Sequence, residues 1–144
     1  MTPTPEHVKE LRQSWAELAK DPQALTGCFY DTLFAIAPDA AALFPGTDMP
    51  AQQIKFAAAI GLVVKHADNL GPVLPALAEL GRRHASYGVT EADYHAVGAA
   101  LLQAVAAQLK ATFTPATEEA WDVAYRAVAA AMRAGLPGEM EKSA

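Results

Sequence analysis

Four histidines, His7, His66, His84 and His95, and one cysteine, Cys28, are the side chains best suited to hold a metal or attack a bond. Their spacing limits what they can do. Zinc and di-iron sites need ligands at short fixed intervals, and no HExxH, ExxH or CxxC pattern occurs. No glycine-rich phosphate loop is present, and no Ser/His/Asp grouping stands out. His7 falls in the exposed first turn of a helix. His66 lies near the end of a long one, beside Lys65 and Asp68, and both read as surface residues. His95 follows Tyr94 and faces away from it, because adjacent helical residues point about 100° apart. Cys28, between Gly27 and Phe29 in an apolar stretch, reads as a packing residue. His84 differs from the other three histidines in the segments that surround it.

The elements that position these residues are helices. Apolar residues recur at three and four, alanine is abundant, and no stretch alternates at period two. The pattern predicts an all-α chain of about seven helices. The first runs over about 5–20, with Thr4 as N-cap, Pro5 in its first turn, and Val8, Leu11, Trp15 and Leu18 facing inward. Asp21-Pro22 opens a second, to about Ile36, and a short helix covers 38–43. Phe44 to Pro50 reads as a loop by its Pro and Gly content. A long helix follows over about 51–68, broken by Gly71-Pro72, and a looser one over 73–86 ends at Gly88. Thr90, with Asp93 in a capping-box position, starts a helix to about Ala111. Thr114-Pro115 starts the last, which reaches about Ala134 before Gly135-Leu-Pro-Gly138 stops it. The polar tail, about 136–144, is expected to fray. Gly27, Gly61, Gly81 and Gly98 lie singly in helices, where they permit close packing.

The 144 residues suit one domain, 1–144, burying roughly 70% of the surface of the unfolded chain. The net charge of −5 disfavours nucleic acid and anionic membrane as partners, since both call for a basic face. A single cysteine allows no disulfide within the chain. The N-terminus lacks the basic start and apolar run of a signal peptide. No apolar run reaches the about 20 residues that span a bilayer. A cytoplasmic, soluble protein is expected.

Several segments resemble a known family. Leu80-Gly-Arg-Arg-His-Ala-Ser-Tyr-Gly-Val89, followed by Tyr94-His-Ala-Val-Gly98, is similar to the haem-binding half of bacterial haemoglobins and of the globin domain of flavohaemoglobins. Cys28-Phe-Tyr-Asp-Thr-Leu-Phe34 resembles their second helix, and Ala42-Leu-Phe-Pro45 their short-helix corner. Asn69-Leu-Gly-Pro-Val-Leu-Pro75 resembles the link between distal and proximal helices, and Ala120-Trp-Asp-Val-Ala-Tyr125 the last helix. Together these motifs cover roughly residues 5 to 134, in order and at matching spacing.

The resemblance implies a globin fold holding haem b, with His84 as the proximal iron ligand. It places Tyr94 on the proximal side, where a hydrogen bond, directly or through a carbonyl, would fix the His84 ring; Tyr94 as a plain core residue is the alternative. On the distal side it implies Tyr30, Phe44 against the haem, and Gln52 as the polar residue, with Gln53 competing because the corner loop varies in length. Phe56, one turn after Gln52, stands where many relatives carry leucine and should narrow the pocket. Ile60, Leu80, Val97 and Leu101 are candidate haem lining. Arg83 either reaches a propionate or is solvated.

A tyrosine hydroxyl and a glutamine amide both donate to a partly negative ligand, so the pocket implies tight oxygen binding and slow release. Oxygen, nitric oxide or carbon monoxide are the implied ligands. Flavohaemoglobins carry a reductase for which this sequence has no counterpart, so nitric oxide dioxygenase activity would need a separate reductase. Their proximal carboxylate falls at the broken stretch before Glu139, which leaves Glu139 a doubtful substitute. A gas sensor is the third reading. Reversible binding of a diatomic ligand is the expectation carried forward.

Overall fold

Side-chain caps set where the helices begin. The computed structural model describes residues 2–44 and 46–134. Pro45, the stretch from Gly135 onward, the expected fraying of the tail and the substitute role of Glu139 lie outside the described residues. Helix α1 spans Pro5–Leu18. Thr4 Oγ1 accepts from the His7 amide at 3.2 Å, and His7 Nδ1 accepts from the Thr4 amide at 3.1 Å. His7 is therefore half-buried and part of a reciprocal cap, not an exposed bystander; its Nε2 lies 3.8 Å from Glu119. Helix α2 spans Pro22–Ile36 under an Asp21 cap. A 3₁₀ helix follows at Pro38–Leu43.

Helix α3 spans Met49–Lys65 and begins before the expected Ala51, because Asp48 Oδ1 accepts from the Ala51 amide at 3.2 Å and Pro50 fits the first turn. It ends before the expected Asp68. Arg12 takes its last carbonyls, donating to Lys65 O at 2.9 Å and to the Asp68 carboxylate at 3.2 Å. A 3₁₀ turn at Gly71–Val73 leads into α4, Leu74–Ser86. Helix α5 covers Glu91–Leu109 under the expected Thr90/Asp93 capping box, and α6 covers Pro115–Arg133 under Thr114. Six α-helices and the Pro38–Leu43 helix match the expected seven, and no strand occurs among the described residues. No described helix is long and apolar enough to cross a membrane.

The helices pack in pairs. Helix α1 lies on α6, α2 on α5 and α3, and α4 on α6, while no extensive contact joins α3 to α4. Of the expected α1 stripe, Val8, Leu11 and Leu18 are buried and Trp15 is half-buried over Gly61 of α3. Leu11 and Leu25 are fully buried, each worth about 1.5–3 kcal/mol. Among the glycines, Gly81 and Gly98 are required by close neighbours, whereas at Gly27 a Cβ would meet only Gln53 Oε1, at 3.9 Å. Two apolar clusters result. The larger joins α1, α2, α3, α5 and α6; the smaller joins Val73, Leu77, Tyr94, Ala129 and Met132.

Helix α5 stops at Leu109, short of the expected Ala111, because Lys110 turns into the left-handed region with φ 55° and ψ −119°. A 3₁₀ turn over Lys110–Thr112 follows. A side chain there costs about 1–3 kcal/mol. Lys110→Gly removes that strain while adding freedom to the unfolded chain. We expect a net stabilisation of about 1 kcal/mol in denaturant unfolding. A destabilised variant would show that Lys110 is held there by contacts worth more than its strain.

Candidate functional site

His84 sits in the last turn of α4, half-buried, with Nδ1 2.8 Å from the carbonyl oxygen of Leu80 one turn earlier. A carbonyl only accepts, so Nδ1 carries the hydrogen in that contact. In the neutral ring Nε2 then keeps its lone pair. The imidazole is thus fixed in orientation and tautomer by its own helix.

Residues of α2 and α3 meet around Tyr30. Its side chain is 5% exposed, and its hydroxyl oxygen accepts from Gln52 Nε2 at 3.1 Å. Gln52 stands in the first turn of α3, directly set by the Asp48 cap: its own amide donates to Asp48 O at 2.9 Å. Gln53 lies over Gly27 of α2 instead. Because the Tyr30 oxygen is an acceptor here, its own O–H is uncommitted among the described residues. Burial raises the phenol pKa, and the bond from Gln52 lowers it by less.

Aromatic rings enclose this pair. Phe29 meets Tyr30 edge-on with centroids 4.8 Å apart, Phe44 edge-on at 5.7 Å, and Phe56 at 5.9 Å. Phe29 and Phe56 are 4.4 Å apart, and Phe34 touches both Tyr30 and Phe44. The sequence reading did not single out Phe29 and Phe34 as site residues. Their spacing from Tyr30, next door and one turn on, was the available signal, since it keeps Phe34 on the Tyr30 side of α2.

The other expected residues fall on two sides. Ile60 and Leu101 are buried in the larger cluster, with Val97, Phe44 and Phe56 packed against it. Tyr94 belongs to the smaller cluster, and Leu80 packs against it. The Arg83 and His95 side chains are exposed. The Tyr94 hydroxyl is buried with no hydrogen-bond partner among the described residues. The expected bond from the Tyr94 hydroxyl to the His84 ring, directly or through a carbonyl, is therefore not formed among the described residues, and Leu80 O alone holds Nδ1. Tyr94 is held by other atoms. Its carbonyl accepts from the Tyr125 hydroxyl at 2.6 Å, and the Arg133 guanidinium lies 5.8 Å from its ring centroid. A cavity between α1 and α5, lined by Leu18, Lys20, Asp21 and Leu109 among others, contains none of these residues.

Comparison with known proteins gives a consistent picture. A family model described as Globin matches residues 27–132. The chain is 30% identical over 124 residues to a flavohemoprotein of Vibrio cholerae serotype O1, covering 85% of this chain and 32% of that protein. It is 30% identical over 139 residues to the flavohemoprotein of Bacillus subtilis (strain 168), covering 95% and 35%. The chain thus spans about a third of the length of these two relatives. An anaerobic nitrite reductase of Oryza sativa subsp. indica is 28% identical over 137 residues, with 92% of each chain covered. Among solved structures, a hexacoordinated heme protein from an anhydrobiotic tardigrade superposes with a TM-score of 0.82 at 19% identity, covering 92% of this chain and 94% of that one. That last likeness speaks to the fold alone.

Burial holds the phenols of Tyr30, Tyr94 and Tyr125 above the ordinary tyrosine value. Unfolded, they ionise near about pH 10; folded, they keep their protons longer. Above that pH the folded state binds more protons, so their contribution to stability is complete below about pH 10 and is lost as the pH rises beyond it. We expect the denaturant midpoint to fall above about pH 10, with these tyrosines ionising only as the chain unfolds. Ultraviolet titration of the native protein checks this; ionisation of all four tyrosines without unfolding contradicts it.

Proposed function

The chain belongs to the globin family, and from that premise we propose that it holds one haem b through His84 and reversibly binds oxygen or another diatomic gas beside Tyr30 and Gln52. The observation that carries the reading is the His84 ring: Nδ1 is committed to Leu80 O at 2.8 Å, which leaves Nε2 as the neutral ligand nitrogen that haem iron requires. The other residues fit the same group. Phe44, Phe56, Leu80 and Val97 are half-buried and apolar, and Ile60 and Leu101 lie buried behind them. They offer the apolar surface that a porphyrin covers. Arg83, exposed beside His84, suits a propionate. When bound, haem supplies an iron that coordinates the gas and shifts negative charge onto it.

The protein's own part is to hold the ligand's charge and exclude water. Tyr30 is the main donor, because its O–H is uncommitted. Gln52 uses one N–H to orient Tyr30, so its role is first to aim that hydroxyl and second to donate. The surrounding rings keep the donor dry, which strengthens its bond to a charged acceptor. Such a bond is worth about 1.5–3 kcal/mol, or one to two powers of ten in release rate. Phe56, braced on buried Phe29, narrows the approach and slows entry. The likeness to two flavohemoproteins favours one further use of the same pocket, oxidation of nitric oxide to nitrate by dioxygen, with one electron per turnover from a separate reductase. Sustained nitrate formation with a generic reductase would add that role.

Absorption spectra of the haem-loaded protein test the reading. We expect a five-coordinate histidine signature on reduction and a stable oxygen complex, both lost in His84→Ala. Tyr30→Phe should speed oxygen release by about tenfold or more. Gln52→Leu should have a smaller effect, because the Tyr30 donor remains. Unchanged spectra in His84→Ala, or a larger effect at Gln52 than at Tyr30, would contradict these roles.

A further inference from the structure

The helix that carries His84 meets the main chain of α6 at Gly81, three positions before the histidine. A Cβ at Gly81 would lie 1.9 Å from the Met132 carbonyl oxygen, 2.6 Å from its carbonyl carbon and 2.8 Å from its Cα. These are backbone atoms and cannot swing aside. At Gly98 the near neighbour is the Tyr125 ring, at 2.8 Å, and at Gly61 it is Trp15 at an ordinary 3.6 Å. Gly81 is therefore the helical glycine where main chain meets main chain.

Helix α6 is not free to yield at this point. The Tyr125 hydroxyl donates to Tyr94 O at 2.6 Å, and Arg133 Nη1 donates to Glu91 at 2.8 Å. Both bonds tie α6 to the start of α5. Met132 and Ala129 are buried in one cluster with Val73, Leu77 and Tyr94. A side chain at position 81 would accordingly move α4 rather than α6.

We infer that Gly81 is a positioning residue: the missing side chain lets α4 seat on α6 and so sets how closely His84 approaches the haem iron. The inference rests on the haem reading of His84. Carbon-to-oxygen contact needs roughly 3.3 Å, so a Cβ at 81 would drive α4 off Met132 by roughly 1.4 Å. Residues three apart lie about 60° from one another around a helix. Displacement away from α6 therefore has a component that draws the imidazole back from the group it holds. Intrinsic propensity predicts the opposite for stability, since alanine in mid-helix ordinarily stabilises.

The test uses the haem-loaded protein. Resonance Raman spectra of the reduced, ligand-free form and oxygen dissociation rates are compared for wild type and Gly81→Ala. The iron–histidine stretching band is expected to move to lower frequency, and oxygen release to rise several-fold. The comparison is repeated in a His84→Gly background with free imidazole as the proximal base. That base is not tethered to α4, so adding Gly81→Ala should then change neither band nor rate. An unmoved band in the His84 protein, or an equal shift with free imidazole, overturns the proposal. Spectra that His84→Gly leaves unchanged overturn the haem reading itself, and are recognisable as such before Gly81 is altered. If Gly81→Ala does not fold, Ala129→Val adds volume to the same buried cluster. It is expected to move the band in the same direction, and an unmoved band there overturns the proposal as well.

Discussion

Helix α4 rests on the main chain of α6 at Gly81, while α3 rests on α2 and α1, and this division of partners keeps the two site-bearing helices apart. In a bundle of this size the apolar faces of neighbouring helices ordinarily close on each other, because burial is the dominant favourable term. Here α4 is committed elsewhere by a contact that only glycine allows. Its outer side chains, Leu80 and His84, are left half-buried, facing no extensive helix contact with α3.

On the α3 side the decisive feature is polar. A buried phenol without a partner costs about 1–3 kcal/mol. Tyr30 avoids this through Gln52, and Gln52 is where it is because Asp48 starts α3 one residue earlier than Pro50. The chain of causes runs from cap to first turn to amide to hydroxyl. Rings from the Phe29, Phe34, Phe44 and Phe56 side chains then shield the pair. Edge-on packing of this kind adds about 0.5–1.5 kcal/mol per pair beyond area burial. A buried hydroxyl held in place by an amide and edged by aromatic rings is the result.

Much of this was legible from the residues. Threonine before proline or an acid marked the starts of α1, α5 and α6, because a capping hydroxyl and a fixed φ act locally. Motif order named His84, Tyr30 and Gln52 as candidates, and the structure brings the last two into contact. What was not legible depends on distance across the fold. The choice between Gln52 and Gln53 rests on which of two adjacent amides reaches Tyr30, and Gly27 takes the other. The early end of α3 is set by Arg12, far away in sequence. His7 looked like a surface residue because histidine is an uncommon partner in a capping box. Of four glycines with the same sequence appearance, only contact with Met132 marks Gly81 as the one on which helix placement turns.

The two sides differ in how their tyrosines are satisfied, and this bears on what each can do. Among the described residues, the Tyr30 oxygen is bonded and its hydrogen is not, whereas the Tyr94 hydroxyl has no partner but its ring is held. The Arg133 guanidinium faces its ring, an interaction worth about 0.5–1 kcal/mol where solvent reaches it, and Tyr125 holds its carbonyl. Arg133 is at the same time paired with Glu91, so the ring feels a charge already largely neutralised. Tyr94 therefore packs as a rigid wall beside α4, and the Nδ1 hydrogen of His84 is held by Leu80 O within its own helix. That separates two functions often shared by one residue. The ring of Tyr94 fixes shape, while a backbone carbonyl fixes the orientation and tautomer of the imidazole, and α4 carries that imidazole wherever its seat on α6 puts it.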